Sequence, residues 1–386
     1  MPVASQVRVP ADQSMLTSEW LREALREGGV STPEITSLDI KEIGVGRGYV
    51  CLSLRLTPHY AGPRGEAPRS LVAKIPGFVA MPDEDSRLLV EELRAAEVHW
   101  YRDLSKDCPV RVPHSYWGGV DTSNAATAVL LEDLGDLRAT DQSIGLTPDE
   151  LALAVDALAK VHARWWEQPR VRELPWLRGP EYTGALWQKR FADGWPAARR
   201  TLGDALPAAF TPIGDGICNR MAGLFCEAAA SASTLVHGDY RAENLLFAPA
   251  GSRDEICILD WQIAQWGSGL GDLGYLLGQS VLPEQRARTE HDLVRRYYEG
   301  LRSGGVSGYS LKDCELDYRR GLLTSTMIAF QAFGLLDQMI ADGPGDVDAE
   351  GRDLWQKWID SAVALIAMIA ERSAIAAVEN DAGSVL

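Results

Sequence analysis

The spacing of apolar residues divides the chain into a strand-rich first part and a helical remainder. A helical period over "LTSEWLREALREGG" ends at Gly28 and Gly29, which are typical helix stops. Next, "TSLDIKEIGVGRGYVCLSLRLT" has alternating apolar residues on both sides of a glycine-bearing turn, which predicts a β-hairpin. A third strand is predicted at "RSLVAKIPG", before a helix over "PDEDSRLLVEELRAAEVHWYRDL" whose first turn is acidic.

Two further strands, "VPHSYWGGVD" and "AATAVLLEDLG", flank a turn at Asp121 to Asn124. From about residue 147 the apolar period becomes helical. Helices are predicted over 148–167, 185–201, 208–231, 283–303, 310–340 and 349–378. The predicted organisation is α+β, with these parts: a flexible tail over 1–15, a β-rich N-lobe over 16–133, a mainly helical C-lobe over 134–378 and a flexible tail over 379–386.

Composition narrows the classes of partner. The chain of 386 residues carries 54 acidic and 38 basic side chains, a formal net charge of -16, which disfavours a nucleic-acid partner. Its six cysteines lack the spacing of a zinc site, so we expect reduced thiols. The N-terminus lacks a secretory signal, and no uninterrupted apolar run reaches about 18 residues. We therefore expect a cytoplasmic protein without a membrane partner.

The stretch "LVHGDYRAENLLF", residues 235–247, sets four polar side chains between two apolar runs that are typical of buried strands. A second apolar run, "ICILD", ends at Asp260. Magnesium prefers oxygen ligands, and Asn244 and Asp260 supply one amide carbonyl and one carboxylate. Asp239 is then left to orient a hydroxyl and accept its proton during attack on phosphorus.

"HGDYRAEN" followed by "ILDW" resembles the catalytic and metal-binding loops of the protein-kinase-like phosphotransferases that act on small molecules. These include aminoglycoside phosphotransferases, choline kinases and ecdysteroid-kinase-like proteins, and "DWQ" and "GLGDLGYLL" look closest to the last group. The resemblance covers roughly residues 40–280. It implies a bilobal fold, with a small β-sheet N-lobe bearing one key helix and a larger, mainly helical C-lobe. It also implies ATP, Mg2+ and a small-molecule hydroxyl acceptor.

Carried over to this sequence, the resemblance makes Asp239 the catalytic base and Asn244 and Asp260 the magnesium ligands. Arg241, two residues after the base, would face the transferring γ-phosphoryl group as a bidentate donor. Asp272 in "GLGDLGYLL" has two interpretations, a turn or helix-cap acid or a brace for the catalytic loop.

The resemblance extends to the N-lobe. Lys74 in "LVAKIPG" matches the strand lysine that holds the α- and β-phosphates, and Glu97 matches its helix partner, although Glu91 and Glu92 lie on the same helix. Glu132 and Leu134 fall in "LLEDLG", the linker whose backbone would bind adenine. The turn Gly44 to Gly48 departs from the glycine-rich loop of protein kinases, so it is not assigned to the phosphates.

The acceptor is the least specified part of this prediction. Seven of the twelve tryptophans fall between residues 165 and 266, and Trp261 and Trp266 are candidate pocket walls, with core packing as the alternative. Aromatic walls favour a neutral, ring-bearing natural product or antibiotic. The alternatives are a cationic acceptor of the aminoglycoside or choline type, and a pseudokinase-like protein that binds a ligand without transferring phosphate.

Overall fold

The computed structural model describes residues 7–44, 50–77, 84–345 and 347–386. They form two compact units. Unit 1 consists of the chain up to Leu137 together with Ile258–Ile263, and unit 2 consists of Arg138–Cys257 and Ala264–Leu386. The predicted division after residue 133 lies close to this boundary, but the return of Ile258–Ile263 to unit 1 has no signal in the sequence. Positions 45–48 of the predicted glycine turn lie outside the described residues.

Unit 1 is built on one antiparallel sheet in the order β1-β2-β3-β5-β4. Its strands are β1 (Ile35–Glu42), β2 (Cys51–Tyr60), β3 (Leu71–Pro76), β4 (Ser115–Asp121) and β5 (Ala126–Glu132). The two helices of this part of the chain are α1 (Ser18–Glu27) and α2 (Glu84–Asp103). The predicted order of three strands, one helix and two strands is confirmed, because alternation and helical period were both clear there.

Alternation along β3 orients the strand. Leu71, Ala73 and Ile75 are buried, whereas the residues between them are only half-buried. Successive side chains of a strand point to opposite faces, so Lys74 projects from the face opposite this buried row.

Helix α1 packs with the N-terminal segment against the sheet. The Thr17 hydroxyl caps the helix by accepting from the Trp20 backbone N–H. Gly28 ends the helix so close to Tyr116 that a Cβ would lie 1.7 Å from the Tyr116 carbonyl oxygen, so only glycine fits. Val7 and Val9 belong to the same buried cluster. This part of the predicted N-terminal tail is therefore packed.

Unit 2 is mainly helical, as predicted. Its helices are α3 (Pro148–Trp165), α4 (Pro169–Arg172), α5 (Pro180–Leu202), α6 (Phe210–Ser231), α7 (Leu270–Gln279), α8 (Pro283–Ser303), α9 (Leu311–Asp342) and α10 (Ala349–Glu379). Helix α3 begins with a capping box between Thr147 and Glu150. Helix α9 packs against α5, α6, α7 and α10 and forms the centre of the unit.

Short strands frame the central loop of unit 2. They are β6 (Arg138–Ala139), β7 (Thr234–Val236), β8 (Leu245–Phe247), β9 (Ile256–Ile258) and β10 (Gln265–Gly267). Strand β7 pairs with β10, and β8 lies between β6 and β9. The two apolar runs around "HGDYRAEN" are thus strands β7 and β8, which hold the loop at both ends.

Helix α10 is long and apolar enough to cross a membrane by length and composition alone, a test that core helices of soluble proteins also pass. Ile359 and Ala362 pack with Leu336 of α9. After α10 the chain continues into a turn in which Ala382 is fully buried, so the predicted C-terminal tail is also packed.

Candidate active site

The loop between β7 and β8 is held by its backbone. The Asp272 carboxylate on α7 accepts the N–H of His237 at 2.7 Å and the N–H of Gly238 at 2.8 Å. Gly238 has a φ of 83°, in the left-handed region that favours glycine. Two charge-assisted hydrogen bonds to adjacent amides fix the direction in which the loop continues toward Asp239.

Asp272 is itself fixed from the other side. His162 Nε2 lies 3.3 Å from Asp272 Oδ2, and His162 Nδ1 lies 2.7 Å from the Tyr297 hydroxyl. All three side chains are buried, and the N-cap position of α7 is Gly269. Of the two interpretations of Asp272, the structure therefore favours the brace.

Asp239 lies in this loop with two side-chain partners. Asn244 Nδ2 donates to both the Asp239 carbonyl oxygen and Asp239 Oδ2, each at 2.8 Å. Arg241 Nε lies 3.2 Å from Asp239 Oδ1. Burial, followed by the negative charge of the nearby Asp239, raises the pKa of Tyr275 well above its ordinary value. The carboxylate is thus oriented by Asn244 and Arg241, with the Tyr275 hydroxyl in its neighbourhood.

The amide of Asn244 is suited to a hard cation. Both hydrogen bonds to the Asp239 oxygens are donated by the NH2 group of Asn244, so its carbonyl Oδ1 must point the other way. No residue in the described parts of the chain donates to that oxygen. Within the same parts, no group of three His, Cys, Asp or Glu side chains forms a metal cluster. Asn244 thus fits as one oxygen ligand among water and phosphate ligands, the coordination that magnesium uses with nucleotides.

Arg241 is tied to its neighbours. Its Nη1 donates to Gln142 Oε1 at 3.0 Å and also to the Glu243 carboxylate. Gln142 is fully buried, so it gives this guanidinium a fixed contact. Arg241 therefore lies beside Asp239, as its position two residues along the loop predicted.

Unit 1 contains the predicted phosphate-binding lysine in a cluster of charges. Lys74 Nζ donates to Glu97 Oε1 at 2.8 Å and to Asp260 Oδ1 at 2.9 Å. The predicted pairing with Glu97 is present, whereas Glu91 pairs with Arg87 on the surface of α2. Lys74 thus gathers two carboxylates, one of which comes from the returning segment Ile258–Ile263.

Burial controls the charges of this cluster. It opposes the charge on Lys74, but Asp260 and Glu97 outweigh it and raise the pKa of Lys74 well above its ordinary value. Burial raises the pKa of Glu97 to about 7, against the opposing effect of Lys74. It also raises the pKa of the Cys51 thiol to about 12. Glu97 is therefore the member of the cluster whose charge changes near neutral pH.

Asp260 has a φ of 63°, an uncommon conformation for a non-glycine residue. Such strained residues cluster at functional sites, which agrees with the predicted role in metal binding. Asn244 and Asp260 belong to different units, so their joint ligation of one ion stays a prediction.

The predicted adenine linker begins where β5 ends. The Glu132 carboxylate accepts from Arg111 Nη2 at 2.9 Å, and the Glu132 N–H donates to the His114 carbonyl at 2.8 Å. The Leu134 carbonyl accepts from the Leu137 N–H, but the Leu134 N–H bonds to no residue that the structure describes. Of these backbone N–H groups, that of Leu134 is therefore the one left for a nucleotide base.

The structure differs from the predicted tryptophan walls. Trp261 is fully buried in unit 1 and stacks on Trp100, with ring centroids 4.1 Å apart and planes at 9°. The guanidinium carbon of Arg172 lies 5.4 Å from the ring centroid of Trp266 on β10, and the backbone of Gly179 also lies close to this ring. Trp261 therefore packs as core rather than as a pocket wall, and the covered ring of Trp266 offers little surface to a ligand.

Tyr275 is the residue that sequence reasoning missed. It follows Asp272 by one turn of α7, so both side chains lie on the same helix face toward the loop. The only sequence signal was this spacing inside "GLGDLGYLL". A tyrosine amid leucines and glycines is more often core, so the spacing alone did not single it out.

Part of the chain is similar to a known protein family. Residues 188–304 match the model of the ecdysteroid kinase-like family. The chain has no significant match among curated protein sequences.

Several solved structures are similar. A Ralstonia eutropha JMP134 protein assigned to the aminoglycoside phosphotransferases aligns with a TM-score of 0.51 and 16% identity, covering 92% of this chain and 96% of its own. A choline/ethanolamine kinase family protein from Mesorhizobium loti gives 0.44 and 19%, covering 93% and 99%. The GDP complex of aminoglycoside 2′-phosphotransferase-IIIa gives 0.49 and 13%, covering 86% and 93%.

The Ralstonia protein shares the α+β fold predicted from the sequence. The chain is thus similar to the ecdysteroid kinase-like family over residues 188–304 and to the fold of the Ralstonia protein over most of its length.

Proposed function

We propose that the protein is an ATP- and magnesium-dependent kinase that transfers the γ-phosphoryl group to a hydroxyl of a small molecule. The observation that carries this proposal is the Asp239 carboxylate, oriented by Asn244 and Arg241 in a loop braced by Asp272. A fixed carboxylate of this kind is what hydroxyl activation requires.

In this mechanism the acceptor hydroxyl hydrogen-bonds to Asp239. The new bond forms between the acceptor oxygen and the γ-phosphorus, while the bond from that phosphorus to the β,γ-bridging oxygen breaks. The hydroxyl proton passes to Asp239, and ADP leaves. Arg241 offers a planar guanidinium to the phosphoryl oxygens as their charge redistributes.

Lys74 and Glu97 serve the nucleotide in this proposal. Lys74 remains protonated next to Glu97 and Asp260, so it can bind phosphate oxygens as a fixed positive charge. Asn244 and Asp260 would hold magnesium, which supplies charge neutralisation to the phosphates when bound.

The central test is Asp239→Asn. We expect magnesium-dependent ATP consumption, measured across a panel of hydroxylated compounds, to fall by a factor of about 100 to 10,000, because the amide cannot accept the proton. Nucleotide affinity should remain. Asp193→Asn, an exposed aspartate on α5, is the matched control and should behave as wild type. Wild-type turnover in Asp239→Asn would rule out this base.

The same panel of compounds distinguishes a kinase from a protein that binds its ligand without transferring phosphate. A wild-type protein that binds nucleotide but phosphorylates nothing would favour the pseudokinase-like alternative. Removal of magnesium by a chelator should abolish turnover, and added magnesium should restore it. Turnover that persists without any divalent cation would contradict the assigned role of Asn244 and Asp260.

For the acceptor, we propose a neutral molecule rather than an aminoglycoside or a choline-like cation. The sequence argument for a ring-bearing acceptor rested on tryptophan walls, and it is weakened because Trp261 is fully buried. Support for neutrality comes instead from two carboxylates beside the loop, because Asp272 is engaged by two backbone N–H groups and Glu243 by Arg241. We also propose a cytoplasmic location, which the reduced thiols of Cys51, Cys108, Cys218, Cys226 and Cys314 support and cell fractionation would test.

A further inference from the structure

The linker "LLEDLG" is held by two consecutive carboxylates, each tied to a different part of unit 1. The Glu132 carboxylate accepts from Arg111 Nη2 at 2.9 Å and from the His114 N–H at 3.2 Å. Asp133 contacts β2 instead, because Arg55 Nε donates to Asp133 Oδ2 at 2.7 Å and Arg55 Nη2 donates to Asp133 Oδ1 at 3.0 Å. The backbone of the linker is therefore anchored on both sides of the peptide bond between Glu132 and Asp133.

Arg55 and Asp133 form the strong type of ion pair. Two parallel hydrogen bonds join a planar guanidinium to a carboxylate, which gives the contact a defined direction. Burial opposes the charge of Asp133, but hydrogen bonds, first those from Arg55, outweigh it and hold the pKa of that carboxyl below its ordinary value. Asp133 Oδ1 also accepts the Gly135 N–H at 3.1 Å. One carboxylate thus ties the linker to β2 and fixes the turn that follows.

Gly135 leaves space for this guanidinium. A Cβ at Gly135 would lie 2.5 Å from Arg55 Nη2 and 3.2 Å from Asp133 Oδ1, too close for the guanidinium to stay in place. The Arg55 side chain is 35% exposed, so a Cβ would push its end toward solvent rather than unfold the turn. Glycine at position 135 is therefore required by the contact between Arg55 and Asp133.

Arg55 projects from the face of the sheet that bears Lys74. Ser53 pairs with Lys74, paired residues share a face, and Arg55 follows Ser53 by two residues on β2. Leu71, which pairs with Glu132 at the start of the linker, precedes Lys74 by three residues, or about 10 Å of strand. A ribose therefore fits between a base at the linker and phosphates at Lys74.

The Leu134 N–H is the group that this arrangement leaves for the base. Leu134 is buried, and its N–H has no hydrogen-bond partner in the part of the chain that the structure describes. Backbone N–H groups in buried segments are almost always satisfied, so this one points to an acceptor atom on a ligand. Adenine offers an unprotonated N1, whereas N1 of guanine carries a hydrogen. An N–H that is held in place therefore favours adenine and opposes guanine.

We propose that Arg55 and Asp133 are positioning residues that set the base preference of the nucleotide site, by holding the Leu134 N–H where it bonds to adenine and opposes guanine. They act through the linker and not on the reacting atoms. That a nucleotide occupies this site rests on the proposed kinase function. The choice of ATP over GTP rests on the linker alone.

Calorimetric titration of the full-length protein with ADP, GDP and inorganic tripolyphosphate, each with magnesium, measures this preference without turnover. We expect the wild type to bind ADP at least about tenfold more tightly than GDP. Arg55→Met and Asp133→Asn should each lower this ratio by about tenfold through weaker ADP binding. Both should leave tripolyphosphate binding unchanged, because Lys74 is intact. Tighter binding of GDP by the wild type, an unchanged ratio in both variants, or equal weakening of ADP and tripolyphosphate would overturn the proposal.

Gly135→Ala tests the same contact without removing a polar group. Its Cβ should displace Arg55 Nη2, so we expect the same fall in the ratio of ADP to GDP affinity. The matched control is Arg102→Met, because Arg102 forms a bidentate pair with Asp103 at the end of α2, with bonds of 2.7 and 2.9 Å. This control should bind all three compounds as the wild type does. Melting curves establish that the variants are folded, and a lost base preference in Arg102→Met would contradict a specific role of Arg55.

The double variant Arg55→Met/Asp133→Asn tests whether the two residues act as a pair. We expect its ADP affinity to equal that of the weaker single variant, because the second change removes nothing further. Losses that multiply would show independent roles and would contradict the shared contact. If the affinities change as expected but no phosphate is transferred to any compound, the kinase function fails while the positioning role stands. If phosphate is transferred and the ratio stays at the wild-type value in the variants, the kinase function stands and the positioning role fails.

Discussion

The Asp239 carboxylate can accept about four hydrogen bonds. Asn244 and Arg241 use two of these positions. In the proposed mechanism the remaining positions are left for the hydroxyl of an acceptor. Their orientation depends on Asn244 and Arg241 and on the polar Tyr275 hydroxyl nearby, so we expect all three residues to influence turnover.

The first prediction at the residue scale concerns Tyr275→Phe. Loss of the polar hydroxyl beside the Asp239 carboxylate should lower kcat by about tenfold, while the KM for ATP stays near wild type. Steady-state kinetics with varied ATP and varied acceptor will measure the split. Tyr298→Phe, a half-buried tyrosine of α8 whose hydroxyl contacts the Tyr309 carbonyl, serves as the control. An unchanged kcat in Tyr275→Phe would contradict the role of this hydroxyl.

The second prediction concerns pH. Because burial raises the pKa of Glu97 to about 7, lowering the pH through that value protonates Glu97 and removes one partner of Lys74. We expect kcat/KM for ATP to fall by up to about tenfold per pH unit below pH 7. Glu97→Gln should start lower and lose this dependence. A wild-type profile that stays flat from about pH 8 to pH 6 would rule out this titration.

The raised pKa of Glu97 also makes the stability of the protein depend on pH. The folded pKa of Glu97 lies above its unfolded value, so its contribution to stability is fully present below the unfolded value. That contribution is lost as the pH rises through about 7. Chemical unfolding across this range should show a decline in wild type that Glu97→Gln lacks.

At the scale of elements, α7 and α10 organise the catalytic loop from two sides. Helix α7 supplies Asp272 and Tyr275, one turn apart. From α10, Arg372 donates to the backbone carbonyls of Gln142 and Ser143, each at 2.8 Å, and Gln142 in turn accepts from Arg241. Helix α10 thereby fixes the segment that contacts Arg241.

We predict that Arg372→Met destabilises unit 2 by about 2–4 kcal/mol, because it leaves buried carbonyl oxygens without donors. It should also lower kcat through Gln142 and Arg241. Urea unfolding and kinase assays will measure both effects. Arg352→Met, near the exposed start of α10, is the control and should change neither. A stable Arg372→Met variant with normal kcat would show that this contact is dispensable.

Most of the helices were predictable from the sequence. The six predicted helices 148–167 to 349–378 correspond to α3, α5, α6, α8, α9 and α10, because an apolar period of 3.6 residues marks each of them. The pairing of Lys74 with Glu97 followed from motif order. The contacts of Asp272, Tyr275 and Gln142 did not, because each joins residues far apart in sequence and depends on helix packing. The burial of Trp261 was missed because a tryptophan beside a catalytic motif can lie either in a pocket wall or in the core.

For the whole molecule, the formal net charge of -16 disfavours anionic partners such as nucleic acids. Within unit 1, the rings of Trp100 and Trp261 stack on each other, and both side chains are fully buried. This stacking ties Ile258–Ile263 to helix α2 although the two are far apart along the chain.

Trp261→Ala should therefore destabilise unit 1 selectively, by about 3–5 kcal/mol, since it leaves a large cavity against Trp100. Hydrogen exchange resolved by mass spectrometry should show faster exchange in β3 and α2, and unchanged exchange in α9. Trp355→Ala is a reciprocal control, because Trp355 packs in the cluster between α9 and α10 and should affect unit 2 instead. Uniform loss of protection across both units would contradict separate cores.

The return of Ile258–Ile263 to unit 1 also sets an order on biosynthesis. A ribosome releases the five strands of the sheet early, yet Trp261, which stacks on Trp100 of α2, is translated only after Arg138–Cys257 of unit 2 has emerged. Until then the face of Trp100 that Trp261 covers lacks this partner. We therefore expect that apolar face to be open to contacts with other chains during translation, as a consequence of the chain path itself.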